Sequence, residues 1–169
     1  MIGGEGKVVE IDEAKFGQRK YHRGRLIEGQ WVFGGIERVS KRSFYIPVPA
    51  RNAKTLTAAI LRWILPGTTI ISDCWKAYSK LGEFPFKHLT VNHSLNFVDP
   101  ETGAHTQNIE RSWRDARGFI PRYGRTESHF EGYLAEFQFK KCVDTQARLH
   151  VFLITAVHLK PGHSEIECN

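Results

Sequence analysis

The sequence predicts an α/β domain in which a mixed five-stranded sheet is flanked by helices. Three observations predict it. Three short apolar runs in the first third of the chain are separated by turn residues, which predicts an antiparallel meander. A helical pattern then leads into a short β-branched run, and such a crossover implies parallel pairing. Two further helical patterns follow in the second half of the chain.

The meander consists of three predicted strands: Lys7 to Asp12, Trp31 to Val39, and Ser43 to Val48. Pro47 and Pro49 end the third strand, because proline cannot donate a hydrogen bond to a ladder. Gly34-Gly35 predicts a bulge or a close approach of another group to the second strand. The basic, glycine-containing stretch Lys15 to Gln30 predicts a long hairpin connection that faces substrate.

The second half of the sheet alternates with helices. The predicted elements are a helix carrying Leu56, Ile60, Trp63 and Ile64 and ended by Pro66-Gly67, a buried strand Thr68 to Ser72, a short helix Trp75 to Leu81, and a strand Lys87 to Val91. Thr106 is the predicted N-cap of a helix that runs to about Arg117, and Ser128-x-x-Glu131 predicts a capping box for the next helix. This order of elements is that of a ribonuclease H-like fold.

Composition limits the class of protein. No apolar run approaches the ~20 residues needed to span a bilayer, and the first residues lack the pattern of a signal peptide, so we expect neither a membrane protein nor a secreted one. The three cysteines are widely spaced and odd in number, which predicts reduced thiols rather than a disulfide framework. We expect one domain over residues 1–160 and a flexible tail over 161–169.

Three acidic residues occupy positions that suit catalysis. Asp12 and Asp73 end apolar β-type runs, and Glu110 opens a helical pattern, so rigid elements would present all three. Taken singly, each has an ordinary explanation: a turn residue for the two aspartates, and a first-turn carboxylate favoured by the helix dipole for Glu110. Together they suit a shared pair of divalent metal ions and phosphodiester chemistry.

Positive charge borders these acidic residues. The chain carries a formal charge of +6, which favours an anionic partner. Five arginines lie between residues 106 and 125: Arg111, Arg114, Arg117, Arg122 and Arg125. Glu110, Arg114 and Arg117 share one stripe of the predicted helix. Arg111, Arg114 and Arg117 therefore predict contacts with phosphates, although a solvated helix face gives the same pattern.

Five ordered blocks of sequence carry a family resemblance. They are Val9-Glu10-Ile11-Asp12-Glu13, Ile71-Ser72-Asp73-Cys74-Trp75-Lys76-Ala77-Tyr78, Val91-Asn92-His93-Ser94, His105-Thr106-Gln107-Asn108-Ile109-Glu110-Arg111-Ser112-Trp113, and Tyr133-Leu134-Ala135-Glu136-Phe137-Gln138-Phe139-Lys140. Over roughly residues 5 to 142 the chain closely resembles the ISXO2-like transposase domain. Its motifs are most similar to those of the Merlin elements of animals, which are relatives of the bacterial IS1595 group.

The resemblance implies a DDE transposase catalytic core that cleaves DNA at transposon ends and transfers the freed strand to target DNA. It implies Asp12, Asp73 and Glu110 as catalytic residues and as ligands of two divalent ions, Mg²⁺ or Mn²⁺. Asn108 is an auxiliary ligand candidate, because some relatives place Asn at or near the third acidic position. Bacterial relatives have lysine seven residues after that position, where this chain has Arg117.

The resemblance also implies partners and location: DNA, a second copy of the chain, and the nucleus if the source is eukaryotic or otherwise the cytoplasm. Relatives usually carry a zinc-ribbon or helix-turn-helix segment before the core, and no such pattern precedes Asp12. The same residues are compatible with two other functions. One is a domesticated, non-catalytic module that binds DNA or chromatin, and the other is a ribonuclease H-like nuclease without strand transfer. His93 and His105 are candidates for phosphate or metal contact, with a hydrogen-bonded structural histidine as the alternative.

Overall fold

The computed structural model describes residues 1–17, 29–93, 98–121 and 129–158. In these ranges the strands are β1 (Ile2–Gly3), β2 (Val8–Phe16), β3 (Gln30–Glu37), β4 (Ser43–Val48), β5 (Ile64–Leu65), β6 (Thr69–Asp73) and β7 (Lys87–Val91). The α-helices are α1 (Ala53–Trp63), α2 (Gln107–Phe119), α3 (Phe130–Cys142) and α4 (Arg148–His158). Two short 3₁₀ helices, Lys76–Tyr78 and Leu81–Glu83, connect β6 to β7.

The predicted mixed sheet is confirmed. Five strands pair in the order β4-β3-β2-β6-β7. β2, β3 and β4 form the antiparallel meander, and β6 pairs in parallel with both β2 and β7. The helical crossover through α1 leads into β6, and the parallel pairing predicted for that strand is confirmed. Pro47 is tolerated within β4 because β4 is an edge strand of this sheet.

Helices cover both faces of the sheet. On one face, side chains of α1 pack with Val9, Ile11, Phe33 and Phe44 in one apolar cluster. On the other face, α2 and α3 pack against alternate residues of the same strands, including Ala14 and Phe16. Successive residues of a strand point to opposite faces, so the two helical layers bury alternate positions of β2. Charged side chains at buried positions of β2 must then find partners within these layers.

Several predicted boundaries are wrong in an informative way. β2 runs four residues past Asp12 to Phe16, so Asp12 lies within a strand and not at its end. β2 and β3 pair without interruption at Gly34 and Gly35, so there is no bulge, but the predicted close approach is present. The predicted helix over Trp75 to Leu81 is instead two 3₁₀ turns. α1 ends before Ile64, which begins β5, and not at Pro66-Gly67.

Two elements were not predicted. β1 and β5 form a separate two-stranded parallel sheet, and α4 follows α3 after a short turn. Most of the predicted hairpin connection, with Ser128 of the predicted capping box and the predicted tail 161–169, lies outside the described residues. Among the described helices, none combines the length and the apolar character that crossing a membrane requires.

Candidate active site

Asp12 and Asp73 lie on neighbouring parallel strands, just beyond the point where the pairing of β2 with β6 ends. The pairing of β2 with β6 runs from Val8–Thr69 to Glu10–Ile71. Asp12 and Asp73 each follow the last pair by two residues, so they lie at the same level and on the same face of the sheet. β2 continues its pairing with β3, and β6 with β7, so the sheet opens only between the two aspartates. Open α/β sheets bind ligands at such places.

The carboxylate of Asp12 is held beneath α2. The indole nitrogen of Trp113 donates a hydrogen bond of 3.0 Å to Asp12 Oδ2. Burial raises the pKa of Asp12 from 3.8 to about 7, with further contributions from the negative charges of Glu13 and Asp73. The hydrogen bonds from the Glu13 backbone and from Trp113 oppose this rise in pKa. The surroundings therefore penalise a negative charge that a bound cation would stabilise.

Gly34 makes room for that indole. Gly34 lies opposite Asp12 on β3, and a Cβ atom placed on it would be 2.7 Å from Cη2 of Trp113. Such a separation is far below van der Waals contact, so only glycine lets the ring lie against the strand at this point. The close approach predicted for the Gly34-Gly35 pair therefore serves to place the donor that contacts Asp12.

Glu10 fixes the start of α2. Its Oε2 atom accepts hydrogen bonds from the backbone N–H groups of Asn108 and Ile109, at 2.9 and 3.2 Å. Its Oε1 atom accepts from the side chains of Arg38, at 2.8 Å, and Asn108, at 2.7 Å. Glu10 is fully buried. A strand carboxylate thus satisfies the orphan donors of the first turn, which sequence analysis had assigned to the side chain of Thr106.

Thr106 instead contacts Glu110. It does occupy the N-cap position, but its hydroxyl donates a hydrogen bond of 2.9 Å to Glu110 Oε1 and lies 2.8 Å from His93 Nε2. His93 Nε2 is itself 3.5 Å from Glu110 Oε1. A hydroxyl that donates to Glu110 can accept from an Nε2–H group, so His93, Thr106 and Glu110 form one chain of hydrogen bonds. The side chain of Glu110 is 50% exposed, which leaves it room to turn.

The structure brings two of the three predicted acidic residues together. Within the described ranges, no three His, Cys, Asp or Glu side chains lie close enough to hold a metal ion as a group. Glu110 lies on the first turn of α2, above the sheet face that carries Asp12 and Asp73, and its carboxylate contacts Thr106. The donor set still fits a hard cation, because two adjacent carboxylates supply oxygen ligands and one of them is mostly buried with a raised pKa.

The other predicted residues occupy different positions. The amide of Asn108 donates to Glu10 and accepts from Lys41, so it supports the start of α2. Nδ1 of His105 lies 3.4 Å from Oε1 of Glu10. The three predicted DNA-binding arginines of the described residues are exposed on α2: Arg111, Arg114 and Arg117. The guanidinium of Arg117 lies 5.6 Å from the centre of the Phe16 ring.

Comparisons with known proteins found a matching family and a distant relative. The ISXO2-like transposase domain matches residues 2–141. An uncharacterized transposase-like protein of Haemophilus influenzae is 26% identical over 98 residues, which make up 57% of this chain and 78% of that protein.

Two integrase cores have a similar structure. The catalytic core of BIV integrase has a TM-score of 0.56 and 14% identity, covering 89% of this chain and 95% of its own. The HTLV-2 integrase catalytic core in complex with magnesium has a TM-score of 0.51 and 12% identity, covering 80% and 85%. At these identities the likeness concerns the fold, and it confirms the ribonuclease H-like prediction. Because the sequence match spans most of the chain, this protein belongs to the family of ISXO2-like transposase domains.

Proposed function

We propose that this chain is the catalytic domain of a DDE transposase, which cleaves DNA at the ends of a transposable element and joins the freed strand to target DNA. The observation that carries the proposal is the pair Asp12 and Asp73, which share one sheet face where β2 and β6 part. A family of transposase domains provides the context in which two such carboxylates have a role.

Asp12 and Asp73 would hold divalent metal, and Glu110 would complete the ligand set by turning from Thr106. Magnesium or manganese suits these oxygen donors. Magnesium is also the ion described in the HTLV-2 integrase core. When bound, two such ions would polarise the phosphodiester and lower the pKa of the attacking water or hydroxyl.

The residues of the chain would orient the reacting strands. In the first step a water oxygen attacks phosphorus at the element end, and the departing oxygen leaves as a free 3′ hydroxyl. In the second step that hydroxyl attacks a phosphodiester of target DNA and displaces another 3′ oxygen. Trp113 fixes the Asp12 carboxylate in one orientation through both steps, since its N–H donates to Oδ2.

The exposed arginines of α2 would bind DNA phosphates beside the acidic pair. Arg111, Arg114 and Arg117 project from the helix whose first turn carries Glu110. Phosphate contacts of this kind add affinity that falls with salt and carry no information about base sequence. Recognition of a specific element end would therefore need other contacts.

A product assay tests the proposal. The substrate is the terminal DNA of the element that encodes the chain, incubated with protein and Mg²⁺ or Mn²⁺ and resolved on a sequencing gel. We expect cleaved strands with a 3′ hydroxyl and joined products in target DNA, and loss of both with Asp73→Asn. Glu136→Gln is the matched control, because Glu136 is an exposed carboxylate of α3 that pairs with Lys140.

The same assay separates the other functions. Cleavage without joined products would indicate a nuclease that lacks strand transfer. DNA binding with no cleavage under either metal would indicate a non-catalytic module. Cleavage by Asp73→Asn at the wild-type rate would contradict the assignment of the site.

We further propose that two copies of the chain associate through α4. The exposed apolar residues of this helix are Leu149, Phe152, Leu153, Ile154 and Val157, and the helix has no buried residue in the described structure. An apolar patch of this kind marks an interaction surface. The HTLV-2 integrase core with a similar fold is described in a dimeric form, which favours a second copy as the partner.

A further inference from the structure

The segments of β2 and β6 that carry Asp12 and Asp73 are not paired with each other through the backbone. The ladder between β2 and β6 ends at Glu10 and Ile71, two residues before each aspartate. Two neighbouring carboxylates repel, and the ladder does not hold their separation beyond this point. Other contacts must therefore set the distance between them.

Glu13 makes the first of these contacts on the opposite face of the sheet. It follows Asp12 on β2, and its side chain is fully buried. The hydroxyl of Tyr78 donates to Glu13 Oε1, and Arg51 Nε donates to Oε2 at 3.3 Å. Tyr78 belongs to the 3₁₀ turn that follows β6 and is itself 1% exposed. The Tyr78–Glu13 bond thus joins β2 to the segment that leaves β6.

Arg51 makes the second connection. Its guanidinium carbon lies 4.0 Å from the centre of the Trp75 ring and 5.4 Å from that of Trp31. The backbone N–H of Trp75 donates a hydrogen bond of 3.1 Å to Asp73 Oδ1. The Trp75 ring also packs edge-on against Tyr78, with 5.8 Å between ring centres. Arg51 therefore links the neighbour of Asp12 to a residue that directly contacts Asp73.

We propose that Glu13, Arg51, Tyr78 and Trp75 form a clamp that sets the separation of the Asp12 and Asp73 carboxylates and thereby the affinity of the site for divalent cations. The clamp rests on the proposed function, which makes these two carboxylates metal ligands. Its members are positioning residues, because they act through Asp12 and Asp73. Partners of this kind typically change metal affinity by about 10- to 100-fold when they are lost.

The geometry also explains why the clamp uses arginine. A planar guanidinium can donate to Glu13 through its edge while its face lies on the Trp75 ring. A lysine ammonium at the same place retains the charge but makes a point contact, so it cannot do both. Arg51→Lys therefore opens the clamp without removing a positive charge.

The test measures Mn²⁺ binding without DNA, from the electron paramagnetic resonance signal of free Mn²⁺. We compare the wild type with Arg51→Lys and Tyr78→Phe, and thermal unfolding without metal reports their folding. The matched control is Arg62→Lys, since Arg62 lies 6.0 Å from the centre of the Trp63 ring at the end of α1, where its cation also faces a tryptophan. We expect the Mn²⁺ dissociation constant to rise by about 10-fold or more in both clamp variants and to stay unchanged in the control.

Each outcome decides one hypothesis. Wild-type affinity in folded Arg51→Lys and Tyr78→Phe would overturn the clamp and leave the proposed function intact. If Asp73→Asn binds Mn²⁺ with the affinity of the wild type, that result would instead contradict the proposed metal site itself. Should Arg51→Lys not fold, Tyr78→Phe decides alone, because it removes one hydroxyl and keeps the buried ring.

Discussion

The Asp12 carboxylate is partly buried between β2 and α2, where Trp113 donates a hydrogen bond to it. Its pKa of about 7 follows chiefly from burial and then from the charge of Glu13, while the Trp113 indole offsets part of the cost. Glu13 also has a raised pKa, again chiefly from burial. Two such carboxyl groups destabilise the metal-free fold once they ionise.

We predict that Asp12→Asn stabilises the metal-free protein, and more so at high pH. The folded-state pKa is above the unfolded value of 3.8. The stabilisation that the folded wild type gains from protonated Asp12 is thus fully present below pH 3.8 and is lost as the pH rises towards 7. The advantage of the variant should grow by about 2 kcal/mol between about pH 5 and about pH 8. Urea unfolding in a chelator measures this growth, and an advantage independent of pH would contradict the raised pKa.

Some of these residues are predictable from the sequence and others are not, for a physical reason. Asp12, Asp73 and Glu110 lie in blocks that resemble a known family, and the first two do lie together. Glu10 and Glu13 lie in the same block, yet their partners are distant in sequence, 98 residues away for Asn108 and 65 for Tyr78. The strand period places Glu10 and Asp12 on one face and Glu13 on the other. It does not reveal which carboxylate caps a helix, which one is held by buried donors, and which one is free to bind a ligand.

At the scale of elements, α2 depends on β2 and β3 for its position. Glu10 caps its first turn, and Gly34 admits Trp113 in its middle. The helix was predictable because its apolar stripe, Ile109, Trp113 and Ala116, is regular, and all three are buried. Its cap was not, because a Thr before a helix ordinarily supplies that bond, and here a carboxylate from another element replaces it.

We predict that Gly34→Ala and Gly35→Ala have similar costs in stability but different effects on the site. The new Cβ would lie 2.7 Å from Trp113 in the first variant and 2.6 Å from Phe44, on the other face, in the second. Overpacking of this kind costs about 1–3 kcal/mol. Urea unfolding should show comparable losses for both variants.

Only Gly34→Ala should also weaken the stabilisation of the protein by Mg²⁺, because it displaces the donor that orients Asp12. The increase in melting temperature on adding Mg²⁺ measures this effect, and Gly35→Ala serves as the control for a crowded sheet. An equal loss of Mg²⁺ stabilisation in both variants would show that general loosening, and not Trp113, governs the site.

At the scale of the whole molecule, the fold class followed from the succession of elements along the chain, because such a succession leaves few topologies. The predicted mixed sheet, an antiparallel meander plus parallel strands, is confirmed. The small sheet of β1 and β5 was not predictable, because two-residue strands are too short to show an alternation of apolar and polar residues. α4 was missed because apolar residues lie around most of its circumference, which leaves no polar face to mark a helical stripe.

The exposed face of α4 gives a prediction about assembly. Phe152→Glu should reduce self-association with little effect on folding, because Phe152 is 59% exposed. Ala58→Glu is the matched control, as it adds the same charge to an exposed position of α1. Sedimentation over a range of concentrations measures the dissociation constant. A wild type that stays monomeric at every concentration would rule out the proposed second copy.

The proposed catalytic role of Asp12, Asp73 and Glu110 requires that all three bind metal at one site. The most direct measurement is an anomalous difference map from crystals of the protein loaded with Mn²⁺. We predict a manganese peak with the Asp12 and Asp73 carboxylates as direct ligands and with Glu110 turned from Thr106 towards it. Manganese bound elsewhere, with no ligand from either aspartate, would contradict the assignment of this site as a metal-dependent catalytic centre.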